Sequence, residues 1–487
     1  MSRNTMRRRF PLDQPVALPY DTIVLMPEFV NSSGTPATNP LPILANGSAC
    51  SPPQGSLPVA GAKSRRFLAV SPSKASYVAF DEELLEPFEA LLAGKTLEQI
   101  IGCRSKNNIR PKIETLLTNL VLRNFFNDAE PHEEIYSERL LQLYVTNRCD
   151  LRCKHCYMSS GLPLPGGEIG TFERLRALDL FAESCPGGRV TFTGGEALLS
   201  ADIYELLNHA KSKGLIVELY TNGLSISAST VDRILGSVDI LQISLDGATA
   251  PHNDFIRGRG TFRKILRAIR VVDRASGRFP NFRYKIAITI TPSNSSDLRG
   301  NLPRLIRRLN LKGRHQFRIG ASSQLGRAAR NPHMFSDLAA LRRNEADIIH
   351  TLAVRGIYHL PTMVNNVYSK TCGMGLTITV GADGAIYPCT ITGQPPIGNI
   401  CDADAADVFR RVASYTEATG VDNVEGCREC AIRYFCKGIC RLTNLFQRGQ
   451  MSRSACTPEY KDIQVRSLID RYHSFEISQL NSTVRGW

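Results

Sequence analysis

Three cysteines in one short run constrain this chain more than any other feature. Cys149, Cys153 and Cys156 follow a CxxxCxxC spacing directly after a β-like segment at residues 140–146. Three thiolates on one tight loop can hold three irons of a 4Fe–4S cluster, and they leave the fourth iron without a protein ligand. An open iron is what a cluster needs if it is to bind and reduce a small molecule. The alternatives are a zinc site or buried thiols, although zinc sites usually pair cysteines as CxxC and close with a fourth ligand.

The loop resembles the signature of the radical S-adenosylmethionine (SAM) enzymes. Tyr157 stands where that family usually has an aromatic residue, and the resemblance makes it a predicted cofactor-binding residue. The resemblance implies that a cluster on the three cysteines reduces SAM and generates a 5′-deoxyadenosyl radical. Cys149, Cys153 and Cys156 would then be catalytic residues as well as metal ligands.

A second run resembles the motif with which the family binds the SAM amino group. Residues 189–194 are β-like and lead into Gly194, Gly195 and Glu196. Two glycines allow a backbone to approach a ligand closely, and a glutamate offers an acceptor for an ammonium group. The resemblance implies that all three residues bind the cofactor.

Two further β-like runs end in polar residues and glycine. One ends at Asn222, and the other contains Ser244 and Asp246 and resembles the segment that contacts the ribose and carboxylate of SAM. Arg257 resembles a nearby arginine that often pairs with the SAM carboxylate; the alternative for Arg257 is a surface ion pair. The sequence thus predicts four more cofactor-binding residues, of which Asn222 rests on the strand pattern.

The spacing of these runs predicts an α/β fold with parallel strands and right-handed crossovers. Strand-like segments recur near 140–146, 189–194, 216–221, 240–245, 284–291 and 315–320, and helix-like segments lie at 171–184, 202–213, 227–236, 260–275, 296–310 and 335–354. The family resemblance implies a partial (β/α)6 radical SAM barrel. Cys149, Glu196, Asn222 and Asp246 all follow strands, where such folds carry their functional groups.

The last third of the chain carries a second cysteine array. Its members are Cys372, Cys389, Cys427, Cys430, Cys436, Cys440 and Cys456. Alone, this array would suggest zinc ribbons; with the first motif it resembles the SPASM extension of radical SAM peptide and protein maturases. The resemblance implies two auxiliary 4Fe–4S clusters, three in all. Cys427, Cys430, Cys436 and Cys456 would hold the outer one, and Cys372, Cys389 and Cys440 the inner one.

Two departures from that family pattern matter. Residues 376–380 lack the cysteine that completes the inner cluster in some relatives, so the inner cluster has either an open iron, which we favour, or a distant ligand such as Cys401 or a carboxylate. Thr390 stands where the sulfatase-maturing branch has an aspartate base, and a threonine hydroxyl is too weak a base without activation. A sulfatase maturase is therefore the less favoured function.

Residues 67–128 predict a small module of strands followed by three helices. The strands are near 67–70 and 77–80, with residues 21–26 as a possible first strand; the helices lie at 82–93, after Thr96 and at 110–124, and Asp81 is a plausible N-cap. The module resembles the PqqD-like recognition element, a winged-helix fold that binds the leader of a precursor peptide by strand addition. A structural cap and a DNA-binding winged helix are the alternatives.

These segments divide the chain into five predicted parts. They are an N-terminal segment 1–66 with a Pro/Ser-rich stretch at 31–64, the recognition module 67–130, the radical SAM core 138–360, the SPASM domain 366–470 and a tail 471–487.

The composition of the chain limits which binding partners and which cellular location we expect. No apolar run reaches membrane-spanning length, and fourteen cysteines indicate a reducing, cytoplasmic location where thiolates serve metals. The net charge of +14 suits anionic clusters and an acidic peptide, and no basic stripe with interleaved aromatics points to nucleic acid. We expect neither a membrane nor a nucleic-acid partner, and an electron donor such as flavodoxin or ferredoxin.

The function predicted from these features is oxidative modification of a ribosomally made precursor peptide. A thioether, carbon–carbon or carbon–oxygen cross-link would begin with hydrogen abstraction by the adenosyl radical. The alternatives are maturation of a protein, through sulfatase-type formylglycine formation or cross-linking of an amine dehydrogenase subunit, and a non-catalytic cluster carrier.

Overall fold

Six parallel strands form the centre of the larger part of this protein. The computed structural model describes residues 18, 21–25, 65–74, 76–102, 109–123, 125–126, 139–335, 338–353, 369–392 and 394–484. The chain forms two compact units: the first comprises residues 1–135, 360–372 and 421–487, and the second comprises 136–359 and 373–420. The predicted stretch 31–64, Cys50 and Cys103 lie outside the described residues.

The second unit is built on one nine-stranded sheet. Its strands are β4 (Leu140–Thr146), β5 (Arg189–Gly194), β6 (Ile216–Thr221), β7 (Ile240–Ser244), β8 (Arg283–Ile290), β9 (His315–Ala321), β10 (Thr377–Val380), β11 (Ala385–Tyr387) and β12 (Gly398–Asn399). The order is β12-β11-β10-β4-β5-β6-β7-β8-β9, in which β4 to β9 are all parallel. The six predicted strands and their parallel arrangement are confirmed. Closure into a partial barrel stays a prediction.

Helices connect the parallel strands. They are α4 (Thr171–Ser184), α5 (Ile203–Ser212), α6 (Val231–Ser237), α7 (Ala250–Arg257), α8 (Thr261–Ser276), α9 (Ser295–Leu309), α10 (Gly326–Ala329), α11 (Leu338–Ala353), α12 (Ala405–Arg411) and α13 (Ser414–Ala418). The six predicted helices of the core are present, whereas α7 and α10 were not expected. Both of these short helices lie beside the cysteine loop, as described below.

The two faces of the sheet differ in chemistry. In register across four strands, Leu143, Phe192, Leu219 and Leu241 form one apolar row, fully buried in the core that the helices share. The alternate residues of β4 to β9 include the polar side chains of Gln142, Tyr144, Glu218, Tyr220, Gln242, Lys285 and Arg318. We call this second side the polar face. Parallel strands covered by helices on both sides are usually apolar throughout, so this alternation indicates a face that serves a ligand or substrate.

The first unit contains a three-stranded antiparallel sheet. Its strands are β1 (Ile23–Leu25), β2 (Arg66–Ser71) and β3 (Ser76–Asp81), in the order β1-β2-β3. Its helices are α1 (Leu85–Leu92), α2 (Leu97–Gly102), α3 (Arg110–Leu122), α14 (Arg433–Cys436), α15 (Arg441–Arg448) and α16 (Pro458–Val484). One apolar core joins the sheet to the helices around Phe80, Phe88, Leu120, Ile469 and Tyr472. The predicted first strand within 21–26 is thus confirmed.

Two local predictions in this unit had opposite outcomes. Thr96 caps α2, because its hydroxyl accepts from the amide of Gln99 at 3.2 Å and the Gln99 side chain accepts from the Thr96 amide at 3.0 Å. Asp81 occupies the N-cap position, but its side chain accepts no capping hydrogen bond. It lies 3.5 Å from Arg66 Nε instead, so the prediction of a side-chain cap was wrong.

The predicted domain boundaries stay predictions. The boundaries of the two compact units fall at other positions in the chain. The stretch predicted as one SPASM domain is divided between the units at residues 372/373 and 420/421. Helix α16 continues through the predicted start of the tail at residue 471. In the described part of the chain, no helix combines the length and the apolar character that crossing a membrane requires.

We expect Phe192→Ala to lower the free energy of unfolding by about 3–5 kcal/mol, because the ring is fully buried between the sheet and its helices. Phe172→Ala is the matched control, since that ring is 75% exposed on α4 and its loss should cost no more than about 0.5 kcal/mol. Urea unfolding of the full-length protein, followed by circular dichroism, measures both. Equal losses for the two variants would contradict the assignment of the core.

Candidate functional site

The cysteine loop comprises residues 147–161, between the end of β4 and the segment that leads to α4. Its thiols are partly or largely sequestered: Cys153 is 9% exposed, and Cys149 and Cys156 are half-buried. A hydrogen bond from the Gly161 amide to the Asn147 carbonyl, at 2.7 Å, joins the two ends of the loop. The three thiols therefore sit on one short closed segment, as the spacing predicted.

Arg327 of α10 holds the cysteine loop by its backbone. Its amide donates to the Cys156 carbonyl at 2.9 Å, its Nε donates to the Cys153 carbonyl at 2.8 Å, and its Nη1 donates to the Ser160 carbonyl at 2.8 Å. Two of these carbonyls belong to predicted metal ligands. The loop has no regular secondary structure of its own, so these bonds replace the partners that a helix or sheet would supply.

Gly194 and Gly195 lie against the start of the cysteine loop. A Cβ on Gly194 would be 2.2 Å from the Thr146 carbonyl oxygen, and a Cβ on Gly195 would be 2.1 Å from the Arg148 carbonyl oxygen. Gly194 also has a φ of +137°, which other residues rarely adopt. The glycines are thus required by close approach of the protein's own backbone, and a contact with SAM by these residues stays a prediction.

Glu196 is buried beside the glycines, with 1% exposure. Its carboxylate accepts hydrogen bonds from the Leu198 amide at 3.2 Å, the Thr221 hydroxyl at 2.8 Å and the Asn222 amide at 2.7 Å. Burial nevertheless raises the pKa of Glu196 to about 7, despite these donors. A cationic group placed against it would favour the ionised form, which suits the predicted role as an acceptor for an ammonium.

Asp246 lies at the centre of a buried ion-pair group. Its Oδ2 is 2.6 Å from Arg257 Nε and 2.5 Å from His155 Nε2, and its Oδ1 accepts from the Thr289 amide at 2.8 Å. Asp246 is fully buried, and burial by itself would raise its pKa. The charges of Arg257 and His155, together with the hydrogen bonds from His155 and Thr289, outweigh burial, so the pKa of Asp246 is strongly lowered. Both carboxylate oxygens are therefore engaged within the protein. The geometry favours a positioning role for Asp246, and a direct contact with SAM stays a prediction.

Arg257 ends α7, and it is 7% exposed. It is paired with a buried carboxylate, so the alternative of a surface ion pair does not describe it. The same group tethers the cysteine loop, because His155 lies between two of the predicted ligands and the Lys154 amide donates to the Ile256 carbonyl at 2.9 Å. The unexpected helix α7 thus serves to hold the loop.

The remaining predicted residues of this site also lie near the carboxyl ends of the strands. Asn222 follows β6 and donates from Nδ2 to Asp150 in the cysteine loop at 2.6 Å. Ser244 ends β7 and is half-buried. The Tyr157 hydroxyl lies 2.6 Å from the Tyr144 hydroxyl on the polar face. Their contacts with a cofactor stay predictions.

Two thiols of the loop, those of Cys149 and Cys153, are poor thiolates by themselves. Burial raises the pKa of Cys149 to about 11, and burial also raises the pKa of Cys153. A bound metal centre reverses this preference, because a coordinating thiol is deprotonated by the cation. Across the described ranges, no three histidine, cysteine or carboxylate side chains converge closely enough to hold one metal ion. The donor set fits the sulfur-rich ligation of an iron–sulfur cluster.

Four cysteines of the second array line one cavity in the first unit. Cys427, Cys430, Cys436 and Cys456 share it with the apolar side chains of Ile432 and Ile439. Burial raises the pKa of Cys436 to about 12 and that of Cys456 to about 11. This is the set that the sequence predicted for the outer cluster, and a sulfur-lined cavity fits such a group. Ligation itself stays a prediction.

The other three cysteines of the array are distributed over the two units. Cys372 and Cys440 belong to the first unit and Cys389 belongs to the second, where its sulfur accepts from the Ile391 amide at 3.5 Å. Cys401, the alternative ligand, is exposed after β12. The inner cluster and its fourth ligand therefore stay predictions.

Sequence reasoning missed several residues of the site. His155 stands inside the cysteine motif, and Arg327 follows the last parallel strand, so the rule that functional groups lie at the carboxyl ends of strands could have found both. The same signals apply to Asp150, which also stands inside the cysteine motif, and to Thr221, which ends β6, although each acts through a partner that is remote in sequence.

Comparison with known proteins bears on the same region. The family model of the Radical SAM superfamily matches residues 143–294, which contain the cysteine loop, Glu196, Asp246 and Arg257. The chain is similar to the mycofactocin maturase MftC of Mycobacterium tuberculosis (strain ATCC 25618 / H37Rv), with 27% identity over 322 residues, 62% of this chain and 78% of the relative.

A second relative and a solved structure extend the comparison. The sporulation killing factor maturation protein SkfB of Bacillus subtilis (strain 168) is 29% identical over 275 residues, covering 55% of this chain and 63% of SkfB. The crystal structure of Streptococcus suis SuiB bound to the precursor peptide SuiA has a TM-score of 0.50 at 16% identity and covers 80% of this chain and 95% of SuiB. At this identity the likeness to SuiB concerns the fold.

We expect Asp246→Asn to lower the free energy of unfolding by about 3–5 kcal/mol, because it leaves the buried Arg257 guanidinium without its counter-charge. Asp232→Asn is the control, since it removes an exposed pair with Arg278 and should cost no more than about 1 kcal/mol. Chemical denaturation of the purified protein compares them. A cost for Asp246→Asn as small as the control's would show that the pair does not support the fold.

We expect Arg327→Ala to weaken iron retention by about 10-fold or more while the protein stays folded, since residues that orient metal ligands have effects of this size. Arg330→Ala, three residues away and exposed, is the control. Iron released to a chelator over time, together with circular dichroism, measures both properties. Equal iron release from the two variants would mean that the two side-chain contacts of Arg327, to the Cys153 and Ser160 carbonyls, do not hold the loop.

Proposed function

We propose that this chain, which contains a radical SAM domain over residues 143–294, modifies a ribosomally made precursor peptide. The observation that carries the proposal is the fixed cysteine loop beside Glu196, in a chain similar to two proteins named for maturation, MftC and SkfB. SuiB, whose fold this chain resembles, has been crystallised with a precursor peptide bound.

The cysteine loop supplies the ligands for this chemistry. Cys149, Cys153 and Cys156 would hold three irons of a 4Fe–4S cluster. A cluster with SAM bound to it supplies a 5′-deoxyadenosyl radical, which abstracts a hydrogen atom from the substrate. The protein's part is to fix the loop, as Arg327 and the Asp246 group do, and to position both reactants away from water.

Glu196 is the acceptor for the SAM amino group in this proposal. Its carboxylate already takes three hydrogen bonds from the protein, so its position is fixed before a ligand arrives. With its pKa raised to about 7 by burial, an approaching ammonium group would draw it into the ionised form. Asn222, Ser244 and Arg257 would complete the cofactor site, with Gly194 and Gly195 allowing the loop to lie close.

The three-stranded sheet of the first unit is the proposed site for the leader of the peptide. Its order leaves β1 and β3 as the outer strands, and an outer strand offers unpaired backbone groups to an extended peptide. Three helices follow the sheet, as in the recognition module that the sequence resembles. Binding there would tether the rest of the peptide to the enzyme.

Oxidative cross-linking is the proposed outcome. Forming a thioether, carbon–carbon or carbon–oxygen bond removes two hydrogens: one leaves as the abstracted hydrogen atom, and the other leaves as a proton and an electron. An electron acceptor is therefore required. The cavity of Cys427, Cys430, Cys436 and Cys456 would hold one auxiliary cluster for this role.

Mass spectrometry tests the function directly. The reconstituted protein is incubated without oxygen with SAM, a reductant and the short peptide encoded beside its gene, with and without the leader, and a sulfatase-type peptide is the comparison. We expect the complete neighbouring peptide alone to lose two hydrogens, which is about 2 Da, and fragmentation to locate the new bond. SAM cleavage without any change in that peptide would contradict the proposal and favour a protein substrate. A variant with Cys149, Cys153 and Cys156 all changed to Ala should cleave no SAM.

A further inference from the structure

The polar face carries one cation that the cofactor site does not use. Arg318 lies in the middle of β9 and is exposed on this face. Its Nη1 donates to the Tyr220 hydroxyl at 3.2 Å and to Gln242 Oε1 at 3.1 Å. Both partners are neutral, and they come from two other strands of the same sheet. The guanidinium is thus oriented by the protein without being neutralised by it.

Two other cations of this face share one carboxylate. Glu218 is 2% exposed, and its carboxylate lies 2.6 Å from Lys285 Nζ and 3.5 Å from Arg189 Nη1. Among the residues that the structure describes, no carboxylate forms an ion pair with Arg318. The face therefore carries excess positive charge, and Arg318 is a part of it that is not paired with a carboxylate.

The surroundings of Arg318 leave room for a ligand near the cofactor site. In register, Arg318 is opposite Ala287, and Ala287 is opposite Ser244, so all three lie in one row. Two strand spacings separate Ser244 from Arg318, which is about 10 Å. Ala287 contributes only a methyl group between them, and Gly320 follows on the same face of β9. A group bound to Arg318 would therefore lie close to the predicted SAM site.

A row of hydroxyls continues the polar layer toward the cysteine loop. Gln142 Nε2 donates to the Tyr144 hydroxyl at 2.7 Å, and the Tyr144 and Tyr157 hydroxyls are 2.6 Å apart. The Tyr220 phenol is close enough to Arg318 and Tyr157 for both to affect its pKa. One layer of hydrogen-bonding groups thus extends from the last parallel strand to the residue next to Cys156.

We infer that Arg318, held by Tyr220 and Gln242, binds a carboxylate of the precursor peptide and positions the modified segment beneath the cysteine loop. The inference rests on the proposed function and specifies the substrate further: the segment that enters this site carries an acidic side chain or the peptide's C-terminal carboxylate. A guanidinium suits such a partner, because its planar donors match the two carboxylate oxygens.

A cycle of protein and peptide variants tests the inference. The probe is the peptide encoded beside this gene, with each Asp and Glu changed singly to its amide and, separately, with an amidated C-terminus. Arg318→Gln should raise the Kd or KM of the unaltered peptide by roughly 10- to 100-fold, the worth of a hydrogen-bonded charge pair. With the unaltered enzyme, one amide variant of the peptide should show the same loss of affinity. With Arg318→Gln, that amide variant should bind little more weakly than it does with the unaltered enzyme. That variant identifies the source of the carboxylate.

Three controls separate this binding role from others. Arg318→Lys should recover part of the affinity because it keeps the charge, and Arg314→Gln, an exposed cation just before β9, should change nothing. The affinity for SAM should stay within about twofold in Arg318→Gln, since the cofactor site is separate. Loss of SAM affinity instead of peptide affinity would overturn the inference, because Arg318 would then bind the cofactor.

The failure of this inference is distinguishable from failure of the proposed function. If the unaltered enzyme removes two hydrogens from the peptide and Arg318→Gln weakens every amide variant equally, the function stands and the carboxylate contact is wrong. If the unaltered enzyme neither binds nor changes the peptide, the proposed function fails and this inference fails with it.

Discussion

The candidate site depends on the capture of backbone carbonyls in the cysteine loop. Metal-binding thiols must keep fixed separations, yet this loop has neither helix nor strand to fix them. Arg327 binds three of its carbonyl groups, and the Glu196 amide donates to the Arg148 carbonyl at 2.8 Å. On the opposite side, the amide of Asn147 and the hydroxyl of Thr146 both donate to Glu168 Oε1. The loop is therefore held by partners from several segments that are remote in sequence, so its shape depends on how the fold brings them together.

The division of the sheet into an apolar and a polar face explains how a stable core and a reactive site share the same strands. Successive residues of a strand point to opposite sides. Phe192 and Leu219 pack against helices on one side, whereas Glu218 and Tyr220 lie on the other. The burial of the apolar face stabilises the sheet, and the polar face is left free to carry charges that contribute to binding. The polar side chains that can contribute to binding are thereby placed on the strands of a packed sheet.

Much of this arrangement was predictable from the sequence. The six parallel strands and the six helices between them were predicted from alternating runs, because each run has a clear period and a polar or glycine-rich end. The cysteine loop and Glu196 were found from their motifs, and their position directly after strands was a separate check on that assignment. The side-chain cap by Asp81 was predicted wrongly, because a local pattern gives no information about Arg66, which lies on the neighbouring strand and competes for the carboxylate.

The sequence by itself determined the kind of elements, their order and which cysteines are the predicted sulfur ligands, because these depend on neighbouring residues and on spacing. Only the tertiary structure decided which distant residues contact these elements and side chains. Asp246 is engaged by His155, 91 residues away, and Arg318 meets Gln242 and Tyr220 across separations of 76 and 98 residues. Gly194 and Gly195 are required by carbonyls of another segment rather than by a motif read locally. Such contacts arise only when parallel strands bring distant segments to one edge and one face of a sheet.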